Sequence, residues 1–272
     1  MANNLIYGHT RQLYLCYGAL AGIGGYFSAL LSIDFSINPW ATLVVGSVIA
    51  GGVSIALSAV TAQRRLGIIF IGILTFGLEQ IFQDVVTGLG SVTGGDTGIF
   101  TPSLSLGPFA ELGHGMGYYY LFATVLGIVL FMYYRVTHTK IGLALRAINF
   151  DEQASELTGI HVKRYKILTA LSGGLILGFA GGLYSYFNFF IAPSLFSIAN
   201  FDTIIYVTLI LGGIASTMGP LLGSAIYIAI NEFLSSFGIL SELFLGVVLI
   251  LLFLFFRDGI VNYLRKFGIE LI

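Results

Sequence analysis

Eight apolar runs decide what this chain can become: roughly 13–33, 39–61, 66–87, 118–136, 165–190, 202–216, 219–238 and 241–256. A helix needs about 20 apolar residues to cross a hydrocarbon core about 30 Å thick. Lipid offers no partner to backbone polar groups, so such runs must cross as helices. The charges between them set the direction. Let the N-terminus start inside and let every run cross. Then Arg11, Arg64, Arg65, Arg135, Lys140, Arg146, Lys163, Arg164, Lys166, Arg257, Arg265 and Lys266 all lie inside, and no Lys or Arg lies outside. That bias is what orients membrane proteins. The expected fold is all-α: a polytopic integral membrane helix bundle of about eight transmembrane segments, with N- and C-termini cytoplasmic. A single transmembrane domain covers 1–272, multi-pass in a cell membrane. Runs 202–216 and 241–256 are short, so tilted, broken or partly spanning helices are expected there.

Composition excludes other classes. The chain is 57% hydrophobic and 9% charged, where soluble domains carry about 25% charge. A net charge of −1 says little, because the distribution of charge matters more than its sum; no nucleic-acid partner is expected. The single cysteine, Cys16, allows neither an internal disulfide nor a cysteine metal site. His114 has no second histidine or acid at metal spacing, so no metal site is expected. The spans hold no paired histidines and no serine–histidine set, so no catalytic residues are assigned.

The longest polar run is Gly142 to Lys166. It predicts two short helices, Ala144 to Ile148 and Asp151 to Thr158. Acids in the second helix's first turn suit the helix dipole, and Gly159 is a left-handed stop. Between two spans, such a hairpin is either a surface gripped by another protein or a solvated loop. The pattern Gly142-x-Ala144-Leu145-Arg146-Ala147, Asp151-Glu152-x-Ala154, Gly159-Ile160-x-Val162, Tyr165-Lys166 resembles the cytoplasmic coupling loop of branched-chain amino acid ABC transporter permeases. The resemblance implies that 137–166 docks on a separate ATPase subunit, through Arg146, Asp151, Glu152, Ala154, Gly159 and Lys166.

The third run carries Glu79, Gln80, Gln83 and Asp84. Polar groups at that depth are costly unless they face a cavity or a partner. Glu79 and Gln83 are four apart and share a face, as do Gln80 and Asp84. Glu79 and Glu232 each lie about 20 Å up their helices. Together with Gln83 they are candidates for the mouth of a translocation pathway; equally, both acids fit an interfacial place or a bond to backbone. Thr75 to Ile81 resembles the family's T-L-A-F-x-E-I segment.

Other matches occur in family order. Asn4 to Gln12 resembles N-L-x-x-G-x-x-G-Q, with Arg11 where glycine is usual. Family members have one or two helices before this point, so a fragment, a late start or a shortened variant is expected. Gly18 to Tyr26 resembles F-x-G-I-G-A-Y, and Pro39-Trp40 is an ordinary start for a membrane helix. Thr93-Gly94-Gly95-Asp96-x-Gly98-Ile99, in an outer loop over 88–117, resembles T-G-G-x-x-G-[IL]; it either touches a substrate-delivery protein or merely turns the chain. Gly174, Gly178 and Gly182 form a stripe for close helix packing. Gly212, Gly213, Gly219 and Pro220 match V-L-G-G-x-G-[ST]-x-x-G-P and mark a helix break. Arg257-Asp258-Gly259 is similar to the family's F-R-P-x-G ending, and the stretch after it is amphipathic.

No G-x-x-x-x-G-K-[ST] loop occurs, so this chain is not expected to bind ATP by that mechanism. It is read as a transport subunit and not an enzyme, with no cofactor of its own and ATP used by partner subunits. The resemblance implies a second permease subunit, two cytoplasmic ABC ATPase subunits, an extracytoplasmic solute-binding protein and the lipid bilayer. The solute class is branched-chain amino acids or related small polar solutes. The alternative is a stand-alone secondary transporter or channel using Glu79 and Glu232.

Overall fold

The computed structural model describes residues 1–105, 114–236, 238 and 241–255. The α-helices of six or more residues are α1 (Tyr17–Asp34), α2 (Pro39–Gln63), α3 (Ile68–Gly88), α4 (His114–Thr137), α5 (Lys140–Phe150), α6 (Glu152–Leu157), α7 (Val162–Asn188), α8 (Thr203–Gly212), α9 (Gly219–Ser235) and α10 (Ser241–Phe255). Among the described residues, four stretches are long and apolar enough to cross a membrane: Pro39–Gln63, Ile68–Gly88, Gly115–Thr137 and Val162–Asn188. The remaining runs fold as shorter helices, α8 at 10 residues and α9 at 17. The stretch around Arg257-Asp258-Gly259 lies outside the described residues.

The centre of the bundle is α1, α2 and α7, in backbone contact through glycine. A methyl group at Gly24 would overlap the Gly178 carbonyl, and one at Gly46 would overlap the Gly24 carbonyl. The predicted stripe on α7 faces α2: added Cβ atoms at Gly174, Gly178 and Gly182 would meet Ser54, Ala50 and Leu43. A second row on α7 faces elsewhere, Gly173 against Ile6 and Gly181 against Ala21 of α1. Small residues let backbones approach so closely in lipid, where packing rather than the hydrophobic effect drives helix association. Serines across these faces bond to the neighbouring backbone, Ser54 to the Ala170 carbonyl (2.7 Å) and Ser47 to that of Leu175 (2.9 Å).

Two expectations change. The apolar run 13–33 is not helical from its start: residues 11–16 are non-helical and α1 begins only at Tyr17. The side chains of other helices satisfy this unwound backbone. Leu15 N–H donates to Thr75 Oγ1 (2.9 Å), and the Tyr206 hydroxyl donates to the Tyr14 carbonyl. The first ten residues, expected at the cytoplasmic surface, are packed inside the bundle, with Asn4 and Ile6 fully buried. Only Arg11 emerges. It lies at the end that also holds Arg65 and the α5–α6 hairpin, with Arg11 Nε on Asn149 Oδ1 (3.2 Å) and Arg65 on Glu156 (3.1 Å).

The opposite end is closed by a two-stranded antiparallel pair, β1 (Ile99–Phe100) with β2 (Phe190–Ile191). The Thr93 to Ile99 loop turns through left-handed Gly94, Gly95 and Gly98, and a methyl at Gly98 would overlap the Ile191 carbonyl. Its glycines are thus needed for chain direction and for close approach to β2.

Candidate functional site

The interior of the bundle contains a helix end. Glu79 lies about 16 Å above the start of α3, near mid-bilayer, and it accepts a bond from Ala19 N–H (2.6 Å). The first N–H groups of a helix have no partner within it, and a buried one left alone costs about 1–3 kcal/mol. The N-cap residue, Cys16, offers no side-chain bond. Two carboxylates from elsewhere take its place. Asp202, just before α8, accepts from Tyr17 N–H on Oδ1 (2.7 Å) and from Gly18 N–H on Oδ2 (3.0 Å). Glu79 takes the next donor, Ala19. Both acids are buried, at 0% and 1% exposure. Acids at a helix N-terminus also face the positive end of its dipole. Gln83 completes the cluster: its amide donates to Glu79 Oε1 (3.0 Å) and to the Phe196 carbonyl (3.2 Å). This arrangement ties α1, α3 and the 193–202 segment together at one point.

The structure therefore brings Glu79 and Gln83 together but not Glu79 and Glu232. Glu232 is exposed on α9, and among the described residues no hydrogen bond or ion pair reaches its side chain. The carboxylate that shares a helix end with Glu79 is Asp202, which the sequence reading did not single out. Its one signal was its place ahead of the V-L-G-G segment, where an acid ends an apolar stretch.

The break between α8 and α9 lies where Gly212, Gly213, Gly219 and Pro220 predicted it. Gly213 has φ +110° and Ala215 φ +60°. The two helices leave it in backbone contact, since methyls at Gly212 and Gly223 would overlap the carbonyls of Gly219 and Thr208. The freed backbone groups find a partner in Asn4, a second residue not singled out beforehand. Asn4 accepts from Ala215 N–H (2.8 Å), donates to the Ser216 carbonyl (2.7 Å) and donates to the Tyr133 hydroxyl (2.8 Å). Gln12, equally buried, joins its own segment to α7 through the Lys166 carbonyl (3.2 Å) and to α2 through Ser58 (2.9 Å).

At the Arg-rich end, the first helix of the polar hairpin, Lys140–Phe150, is longer than predicted at both ends, and the second, Glu152–Leu157, is one residue shorter at each end. Asp151 is the cap of α6, accepting from Gln153 N–H (2.8 Å) and Ala154 N–H (3.0 Å). Gly159 is left-handed at φ +86°. Glu152 receives both its oxygens' bonds from Lys166 Nζ (2.6 and 2.7 Å), and this lysine side chain is only 7% exposed. So Glu152 and Lys166 latch α6 onto α7, while Arg146 and Ala154 face outward. Beside them stand two apolar residues that the sequence reading passed over, Phe150 at 88% and Leu157 at 90% exposure.

The family described as branched-chain amino acid transport system / permease component matches residues 1–255. The chain belongs to that family. It is similar to the high-affinity branched-chain amino acid transport system permease protein LivM of Escherichia coli, at 24% identity over 96% of this chain and 66% of that protein. The chain thus spans about two thirds of the length of this relative. A probable branched-chain amino acid transport permease protein LivM of Methanocaldococcus jannaschii is 24% identical over 92% of this chain and 84% of its own. A probable LivH permease protein of the same organism is 26% identical over 87% of this chain and 76% of its own. No solved structure matches the chain at a significant level.

Proposed function

We propose that this chain is the membrane-spanning permease subunit of an ABC importer that moves branched-chain amino acids or related small polar solutes inward. It acts with a second permease subunit, two cytoplasmic ATPase subunits and an extracytoplasmic solute-binding protein. The observation that carries the reading is the α5–α6 hairpin. It holds two almost fully exposed apolar side chains, Phe150 at the end of α5 and Leu157 at the end of α6, and α6 is latched to the bundle by Glu152 and Lys166. Exposed aromatic and aliphatic anchors on a rigid element are what a partner groove buries. The Glu152–Lys166 latch carries motion of α6 directly to α7, the helix that packs on α1 and α2. ATPase closure would thus reach the buried α1 terminus through packed helices. A gradient-driven carrier built on Glu79 and Glu232 finds no support, because Glu79 is engaged by a helix end and Glu232 stands exposed on α9.

The test is uptake by proteoliposomes containing the co-purified complex, with the delivery protein added outside. Uptake of labelled leucine, isoleucine or valine that requires ATP is the expected result. Uptake driven by an ion gradient without ATP would contradict it. The double variant Phe150→Glu, Leu157→Glu should lower ATPase recovery in an affinity purification at least tenfold while the chain's own thermal midpoint stays put. Both side chains lie outside the packed interior, so a fall in thermal midpoint would argue that they are structural instead.

A further inference from the structure

We infer that the face of α3 bearing Gln80 and Asp84 lines the outer half of the translocation route and is turned toward the second permease chain, not toward lipid. The inference rests on the proposed pairing with such a chain. The buried face of α3 is Ile71, Thr75, Glu79, Phe82 and Val86. The opposite stripe runs Ile69, Ile73, Phe76, Gln80, Asp84, and every member is exposed. In its inner half the stripe is apolar, with Ile69 at 74% and Ile73 at 63% exposure. In its outer half it is an amide and a carboxylate one turn apart. Among the described residues neither side chain has a hydrogen bond or an ion pair. Gln80 lies about 18 Å and Asp84 about 24 Å from the start of α3. With a core about 30 Å thick, Gln80 is then about 12 Å below the outer boundary.

A polar side chain at that depth faces a bundle interior or a watery cavity, because hydrocarbon cannot meet its bonds. Asp84 alone would pass as an interfacial residue; Gln80, a turn deeper on the same stripe, would not. None of the described residues meets them, and the occupant is placed outside this bundle. The family supplies a chain of the right kind: one organism, Methanocaldococcus jannaschii, has both a LivM and a LivH relative. The other exposed flank of α3 at the same depth, Ile81 (60%) and Val85 (50%), is apolar and fits lipid. One helix thus presents two outward faces of opposite character.

The experiment places single cysteines at Gln80→Cys, Asp84→Cys and Ile81→Cys in the complete complex, in right-side-out vesicles. The native Cys16 is fully buried and silent. A membrane-impermeant sulfonated methanethiosulfonate is added from outside. Positions 80 and 84 are expected to react at least tenfold faster than position 81. After coupling to a benzophenone maleimide and illumination, they should yield an adduct with the mass of two permeases, and position 81 should not. Equal, slow reaction at all three positions, with a second permease present in the sample, would overturn this inference and leave the proposed function standing. A complex that contains no second permease would overturn both.

Discussion

Asp202→Ala is expected to cost most of the folded protein. The substitution removes the acceptor that, among the described residues, holds Tyr17 N–H at 2.7 Å and Gly18 N–H at 3.0 Å. Two buried donors are left open at about 1–3 kcal/mol each, against a total stability of about 5–15 kcal/mol for a typical native protein. Water does not repair the loss, because the site is fully buried and near mid-bilayer. Asp202→Asn keeps one oxygen and should fall between wild type and alanine. Fluorescence-detected size exclusion after a temperature series, in mild detergent, reads the order: wild type, then asparagine, then alanine. An alanine variant as stable as wild type would mean that the α1 terminus is not held as described. Glu79→Leu strands one donor, Ala19 N–H, and should be milder than Asp202→Ala.

Gly24→Val is the second large effect. Its Cβ would overlap the Gly178 carbonyl, and Gly24's own carbonyl is what Gly46 rests against. The clash is with the Gly178 backbone, so no rotamer relieves it and α1 and α7 must move apart. Overpacking costs about 1–3 kcal/mol in soluble cores and more where backbone must shift. Here, loss of monodisperse protein is expected. Gly52→Ala, on α2 with nothing within 4 Å of the added atom, is the matched control and should behave as wild type. If both variants purify equally well, the glycine contacts do not hold the bundle.

What the sequence disclosed, and what it hid, follows from how each feature is encoded. The Gly174, Gly178, Gly182 stripe was legible because helix geometry puts every fourth residue on one face, and the structure sets it against α2. Glu79 was legible as an acid in an apolar run. Its partner was not. Asp202 lies far away in sequence and acts on backbone donors of α1, and no side-chain pattern announces a backbone donor. The unwound stretch before α1 was hidden for a related reason. Leu13, Tyr14, Leu15 and Cys16 are as apolar as the helix they precede, and hydropathy registers burial, not whether the backbone is helical. Asn4 stood in a recognised motif, yet its task, holding the break at Ala215 and Ser216, depends on a contact across most of the chain. On the hairpin, the charges drew attention. The structure turns two of them inward as a latch and leaves Phe150 and Leu157 facing out.

The most direct test of the account is affinity purification of the tagged chain from its own membranes in mild detergent, with its companions identified by mass. The account predicts an ABC-type ATPase and a second permease in the eluate, the ATPase lost when Phe150 and Leu157 are replaced by glutamate. A chain that elutes alone, at full yield and with a wild-type melting profile, would contradict it.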